Sequence, residues 1–112
     1  MTESTYQDDQ VFCTDTGLAI KRYYFPNGTK RIRYSSIRSV ERMELSGLRA
    51  ASRWRIWGSG DFVHWWNLDP KRPTKTVALV LDVGRRICPT ITPDDPDAVE
   101  QILRAHGTSV QL

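Results

Sequence analysis

The chain has 112 residues, of which 39% are hydrophobic and 26% charged, a composition that is ordinary for one soluble globular domain. No apolar run approaches the roughly 20 residues that a membrane-spanning helix needs, and the polar, acidic residues 1–10 lack the basic and apolar regions of a secretory signal. The sequence therefore favours a cytoplasmic protein, with a peripheral position on the inner face of the membrane as the alternative.

The net charge of +3 conceals an uneven distribution of charge along the chain. Residues 21–86 contain 15 of the 16 Lys and Arg residues but 5 of the 13 acidic residues, and so carry +10, whereas the two ends together carry −7. A basic middle segment attracts anionic partners such as phosphoinositide headgroups, acidic proteins or nucleic acid. In the alternative interpretation, the acidic ends neutralise the body of the folded protein.

The first half of the chain predicts short strands. Residues 11–14 form one strand, and residues 18–25 and 30–34 form a hairpin around the turn sequence Pro26-Asn27-Gly28. Basic and apolar residues alternate in the second arm of this hairpin, so Arg31 and Arg33 are expected on a solvated face.

Two further strands are predicted before the middle of the chain ends. Residues 38–45 are interpreted as a fourth strand, for which a short helix is the alternative, and residues 53–57 as a fifth. Residues 58–73 then form the longest irregular segment, and loops of that length in compact domains are usually functional or poorly ordered.

The last third of the chain predicts a hairpin followed by one helix. Residues 76–83 and 86–91 are two strands joined by the two-residue turn Gly84-Arg85. Asp95 is the expected N-cap, Pro96 the first helical residue and Gly107 the end of an amphipathic helix, with His106 in a capping role at its carboxyl end. We divide the chain into an extended or disordered acidic N-terminus (1–9), one domain (10–107) and a C-terminal tail (108–112).

Seven short antiparallel strands followed by one amphipathic helix resemble the pleckstrin homology superfold. The local sequences at 57–66, 78–84 and 91–96 are similar to small actinobacterial proteins with pleckstrin-homology-like domains. The resemblance implies a mainly β barrel of two nearly orthogonal sheets, with one open end plugged by the C-terminal helix. It also implies a binding module for lipid, peptide or protein rather than one particular ligand.

Aromatic residues in the long segment suggest a protein-binding surface. All four tryptophans lie within 13 residues, and aromatic side chains rank among the strongest anchors of protein interfaces. The alternative is that they fold back as core. Protein binding or self-association is therefore assigned to an aromatic set comprising Trp57, Phe62, His64, Trp65 and Trp66.

Basic residues suggest a second surface, for an anionic ligand. Phosphoinositide-binding members of the resembled superfold carry a Lys followed by Arg-x-Arg near a strand turn, and residues 21–22 and 30–33 imitate that arrangement. Interleaved Arg and Trp at 53–57 would also suit stacked nucleic-acid bases, which is the less favoured alternative. The basic set comprises Lys21, Arg22, Lys30, Arg31, Arg33, Arg53 and Arg55.

Residues suited to catalysis are few. The chain has two histidines, His64 and His106, no serine in a nucleophile-elbow sequence, and two cysteines, Cys13 and Cys88, without metal-ligand spacing. We expect reduced thiols, no metal, no cofactor and no enzymatic activity. An enzyme would require a pocket that gathers His64 with Asp61 or Asp69.

Overall fold

The computed structural model describes residues 6–24, 28–45, 64–67, 69 and 72–111, apart from the side chains at 73 and 109–111. These residues form nine strands and one α-helix, arranged as two sheets followed by the helix and a last strand. The elements are β1 (Tyr6–Gln7), β2 (Val11–Cys13), β3 (Gly17–Tyr24), β4 (Gly28–Arg33), β5 (Ser39–Glu44), β6 (His64–Trp66), β7 (Val77–Asp82), β8 (Cys88–Ile91), α1 (Pro96–Ala105) and β9 (Ser109–Gln111).

The first sheet is a meander in which β1, β2, β3 and β4 lie side by side in chain order, and every pair is antiparallel. The predicted hairpin around residues 26–28 is confirmed, since Leu18 lies opposite Ile32. Arg31 and Arg33 are exposed while Ile32 between them is buried, as the alternating pattern predicts.

The second sheet is mixed and follows the order β6-β8-β7-β5-β9. β5 pairs with β7 and β7 with β8 in antiparallel fashion, whereas β6 runs parallel to β8 and β9 parallel to β5. Residues 39–44 are thus a strand, and the short helix considered as an alternative is wrong. Residues 109–111, which the sequence places in the tail, form the last strand of this sheet.

Three details of the predicted barrel are wrong for the described residues. They contain nine strands rather than seven, two of their pairings are parallel, and none of the pairs joins one sheet to the other to close a barrel. The two-residue turn at Gly84-Arg85 is also wrong. Leu79 lies opposite Ile91, so β7 and β8 are joined by a five-residue loop at 83–87.

The C-terminal helix begins and ends where its capping residues predict. The Asp95 carboxylate accepts a hydrogen bond from the Ala98 amide, Pro96 occupies the first turn, and Gly107 adopts φ +92° just beyond the helix. His106 is the C-cap residue, and its ring stacks on Tyr34 with 4.0 Å between the ring centroids. Val99 and Leu103 on the apolar face are fully buried.

The core lies between the two sheets and the helix, and β7 is buried on both of its faces. Leu79 and Leu81 point into the main cluster, while Ala78 and Val80 belong to a second cluster with Trp66. Burial on both faces explains why this strand reads as a continuous apolar run without alternation. The main cluster includes Val11, Leu18, Ile20, Ile32, Val40, Leu79, Leu81, Ile91, Val99 and Leu103.

Several predicted features lie outside the described residues. These are the strand at 53–57 and the site residues Arg53, Arg55, Trp57 and Phe62. Among the residues that are described, no helix is long and apolar enough to cross a membrane.

Candidate functional site

A groove with aromatic walls lies between the first sheet and the 83–87 loop of the second. Its volume is about 470 Å³, within the usual size of ligand pockets. We call it the aromatic groove. Its apolar lining residues are Tyr23, Tyr24, Trp65, Val83, Ile87 and Pro89, and its cationic rim is formed by Lys30, Arg85 and Arg86.

A β-bulge places the two tyrosines in this groove. Ile20 pairs with Lys30 and Tyr24 with Gly28, so three residues of β3 face a single residue of β4. Arg22, at the centre of the bulge, has φ +55°, a left-handed conformation that is uncommon for a side-chain-bearing residue. The rings of the adjacent Tyr23 and Tyr24 meet edge to face, with 5.1 Å between their centroids and an interplanar angle of 82°.

Trp65 joins the second sheet to this bulge. Its indole Nε1 donates a hydrogen bond of 2.9 Å to the Tyr23 carbonyl oxygen, and its ring lies 5.9 Å from the Tyr23 ring. Tyr23 is buried, which raises the pKa of its hydroxyl to about 12, so the phenol is neutral at physiological pH. The floor of the groove therefore consists of neutral aromatic rings.

The rim of the groove is positive. The Lys30 ammonium lies 5.3 Å from the Tyr23 ring centroid and 5.9 Å from that of Tyr24, within the range of cation–π attraction. Arg85 and Arg86 are exposed on the 83–87 loop, which turns at Gly84 with φ +78°. The Asp82 carboxylate accepts a hydrogen bond from the Gly84 amide, which fixes the start of that loop.

The predicted basic set does not lie on one face. Lys30 lies at the aromatic groove, whereas Arg31 and Arg33 line a separate shallow depression of about 290 Å³ with Phe12 and Gly17. Lys21 and Arg22 turn towards the N-terminal segment, where Lys21 Nζ donates to the Asp8 carbonyl (3.1 Å) and Arg22 Nη2 to the Asp9 carbonyl (3.2 Å).

The predicted aromatic set is divided as well. Trp65 lines the groove, but its neighbour Trp66 is buried in the second cluster, where the Arg72 guanidinium carbon lies 5.0 Å from its ring centroid. The core alternative is therefore correct for Trp66. His64 is half-buried and pairs with Cys88 across the parallel strands.

Sequence reasoning missed a buried polar network behind the groove, formed by Gln10, Asn67, Asp69, Arg72 and Thr92. The Arg72 guanidinium donates to the Asn67 carbonyl and side-chain oxygens, both at 2.8 Å, and to Thr92 Oγ1 at 3.1 Å. All five residues are buried, and burial lowers the pKa of Arg72 to about 10 while Asp69 opposes that shift. The sequence Asp-Pro-Lys-Arg-Pro at 69–73 resembles an exposed turn, and nothing in it signals burial.

This network fixes β6 against the first sheet. Asp69 accepts from Gln10 Nε2 at 3.2 Å and from Thr92 Oγ1 at 2.7 Å, and Asn67 Nδ2 donates to the Gln10 side chain at 2.5 Å and to the Lys21 carbonyl at 3.1 Å. The residues that follow β6 are thereby bonded to Gln10 and Lys21 of the first sheet region and to Thr92 after β8. The network therefore positions Trp65 opposite the bulge.

The described residues offer little catalytic chemistry. Both carboxylate oxygens of Asp69 accept hydrogen bonds within the network, so this residue belongs to the interior rather than to an open pocket with His64. Burial raises the pKa of the Cys13 thiol to about 12, which disfavours the nucleophilic thiolate. Among residues 6–24, 28–45, 64–67, 69 and 72–111, no group of three or more His, Cys, Asp or Glu side chains could hold a metal ion.

Comparisons of the chain with protein-family models, with curated proteins and with solved structures gave no match. The resemblance to pleckstrin homology domains thus stays a prediction from sequence. Within the described residues, the structure has two sheets and one α-helix near the C-terminus.

Proposed function

We propose that this protein is a non-catalytic binding module of pleckstrin-homology-like type, acting in the cytoplasm, which engages a protein partner through the aromatic groove. One observation carries the proposal. Tyr24 and Ile87 are the two large hydrophobic residues that the described structure leaves exposed, at 51% and 43%, and both line the same groove. Tyr24 lies on β3 of the first sheet and Ile87 in the 83–87 loop of the second, so the folded chain brings them together.

Exposed apolar side chains that cluster around a recess favour an interaction surface. Single exposed hydrophobic residues are common on protein surfaces and need no explanation, but a contiguous patch rimmed by polar groups marks a binding site. Aromatic residues supply large contact areas at low cost in conformational entropy, which is why they dominate interface hot spots. Trp65 and Tyr23 continue the apolar surface into the recess.

The test compares partner binding by the wild type, a groove variant and a matched control. Tyr24→Ser with Ile87→Ser removes the exposed apolar surface, and Arg31→Ala with Arg33→Ala changes two exposed residues of β4 that lie away from the groove. Proteins captured from cell extract are purified, and their binding to each form is measured by titration, with light scattering reporting self-association. We expect the groove variant to lose at least about tenfold in affinity, the scale of a modest hot spot, and the control to bind normally. Equal binding by all three forms would contradict the proposal.

A second candidate function is peripheral contact with anionic lipid. The observation that favours it is the position of Lys30, Arg85 and Arg86 beside exposed Tyr24 and Ile87, since basic and apolar groups together suit the membrane interface. Sedimentation with phosphatidylserine vesicles at low salt tests this function. The candidate requires binding by the wild type that is lost in the variant Arg85→Glu/Arg86→Glu.

A further inference from the structure

We propose that the ligand of the aromatic groove is a short acidic peptide segment of another protein. One apolar side chain of the segment enters between Tyr24 and Ile87, and its carboxylates face Lys30, Arg85 and Arg86. The inference rests on the proposed function, because it names the ligand class of the same groove.

The shape of the groove favours an inserted side chain over a flat surface. Tyr24 and Ile87 protrude at the edges, whereas Tyr23 is 7% exposed and lies with Trp65 at the floor. A lipid bilayer would meet the protruding residues and leave the recess between them unfilled. A peptide can place one aromatic or aliphatic side chain into the recess and cover the edges with its backbone.

The positive charge of the groove favours a negatively charged ligand. Among its lining residues in the described part of the chain, three are cations and none is acidic. Lys30 is held at the mouth by the two tyrosine rings, while Arg85 and Arg86 extend from the exposed loop on the other side. Such a rim accelerates association with acidic segments and repels basic ones, and Arg can pair with a carboxylate through two parallel hydrogen bonds.

The polar atom of Trp65 at the floor is already engaged within the protein, since its indole N–H donates to the Tyr23 carbonyl. An inserted group therefore meets ring faces and aliphatic carbon, which favours an apolar side chain. Specificity for the flanking residues of the peptide comes from the rim cations.

The experiment selects peptides from a displayed library of random sequences on the wild-type protein. Two charge-reversed variants provide a matched pair. Arg85→Glu/Arg86→Glu alters the rim, and Arg31→Glu/Arg33→Glu makes the same change in net charge in the separate depression of the first sheet. All four arginines are exposed, so both variants should fold, and circular dichroism and thermal melting verify this.

We expect enriched sequences with Asp and Glu flanking one aromatic or aliphatic residue. Resynthesised peptides should bind the wild type and the Arg31/Arg33 variant alike, and lose at least about tenfold in affinity for the Arg85/Arg86 variant, with weaker binding as salt increases. Tyr24→Ser/Ile87→Ser should abolish binding of the same peptides.

Other outcomes separate this inference from the proposed function. Enriched peptides that are neutral or basic, yet still fail to bind Tyr24→Ser/Ile87→Ser, would retain the groove as a protein-binding site and overturn the acidic ligand class. Peptides that bind both charge-reversed variants equally would overturn it as well. If no peptide is enriched and phosphatidylserine vesicles instead bind the wild type but not Arg85→Glu/Arg86→Glu, both the inference and the proposed function are overturned.

Discussion

Two adjacent tryptophans on β6 face opposite sides of the strand and lie in different environments. Trp65 lies in the aromatic groove with the Tyr23 ring and the nearby Lys30, while Trp66 is buried against the Arg72 guanidinium. Similar residue types therefore form a solvated surface on one side and a dry network on the other. The local sequence specifies only two adjacent tryptophans. The packing of segments that are distant in the chain decides which of them is buried in the core and which lines the groove.

The largest expected effect on stability is at Arg72, the buried cation. Arg72→Met keeps most of the apolar volume but leaves the Asn67 oxygens without their donor and removes a positive charge that interacts with the buried Asp69 carboxylate, which retains the Lys75 ammonium at 3.6 Å. We expect the free energy of unfolding to fall by about 3–5 kcal/mol, as for other buried pairs from which one partner is removed. Urea denaturation followed by tryptophan fluorescence measures this loss.

The control for that prediction removes the acidic partner too. Arg72→Met with Asp69→Leu should be less destabilised than Arg72→Met alone, because no uncompensated buried charge remains. If Arg72→Met costs no more than an exposed substitution such as Arg31→Ala, the network does not stabilise the fold and the contrast between the two tryptophans fails.

A smaller effect is expected at Asp8, which holds the backbone beside the network member Gln10. The Asp8 carboxylate accepts hydrogen bonds from the amides of Gln10, Val11 and Asp94, at 2.7, 2.8 and 2.8 Å, and from the Tyr6 hydroxyl. Burial alone would raise the pKa of Asp8, but these hydrogen bonds outweigh it and hold the pKa below its usual 3.8. Asp8→Ala should cost about 1–3 kcal/mol at neutral pH.

The pH dependence of that loss follows from the direction of the pKa shift. A carboxylate whose pKa is lower in the folded state contributes stability above its unfolded pKa of 3.8, and that contribution disappears as the pH falls through the folded pKa. The difference in unfolding free energy between wild type and Asp8→Ala should therefore be constant from about pH 5 to pH 7 and shrink below pH 3.8. A difference that grows on acidification would contradict the assignment.

The smallest effect on stability is expected at Lys30, the cation at the groove. Lys30→Met keeps an unbranched side chain beside Tyr23 and Tyr24 but removes the ammonium. The lost cation–π interaction contributes about 0.5–1 kcal/mol to stability at an exposed site. Thermal unfolding should show a slight decrease, while the affinity for acidic peptides should fall clearly. A stability loss as large as that of Arg72→Met would mean that the groove is part of the core.

Locally encoded features of the fold could be predicted from the sequence. The helix begins after Asp95 and Pro96 and ends before Gly107 because capping and backbone conformation depend on neighbouring residues. The hairpin between β3 and β4 follows from its turn sequence and alternating pattern. The two parallel pairings could not be predicted, because they join segments distant in the chain and have no turn to mark them.

The candidate site was predictable only in part. Trp65 and Lys30 were proposed for different surfaces, and the fold places both at one groove, whereas Trp66 belongs to the core. Neither Tyr24 nor Ile87 belongs to the predicted aromatic set or to the predicted basic set, since each is an ordinary strand or turn residue until the bulge and the 83–87 loop bring them together. The burial of Arg72 could not be predicted either, because the local sequence around its partners Asn67 and Thr92 does not indicate that they bind a buried guanidinium.

The β3 bulge allows the aromatic groove to be changed by protein engineering without changing the pairing of the rest of the first sheet. Three residues, 21–23, face the single residue Thr29, so the insertion amounts to an even number of residues and the inward and outward alternation is the same before and after it. A deletion of two residues within 21–23 would restore a regular hairpin without turning any flanking side chain to the wrong side of the sheet. Where the deleted pair is Arg22 and Tyr23, the chain would keep the register of its first sheet and lose the Tyr23 ring from the groove, so the groove can be altered separately from the rest of the sheet.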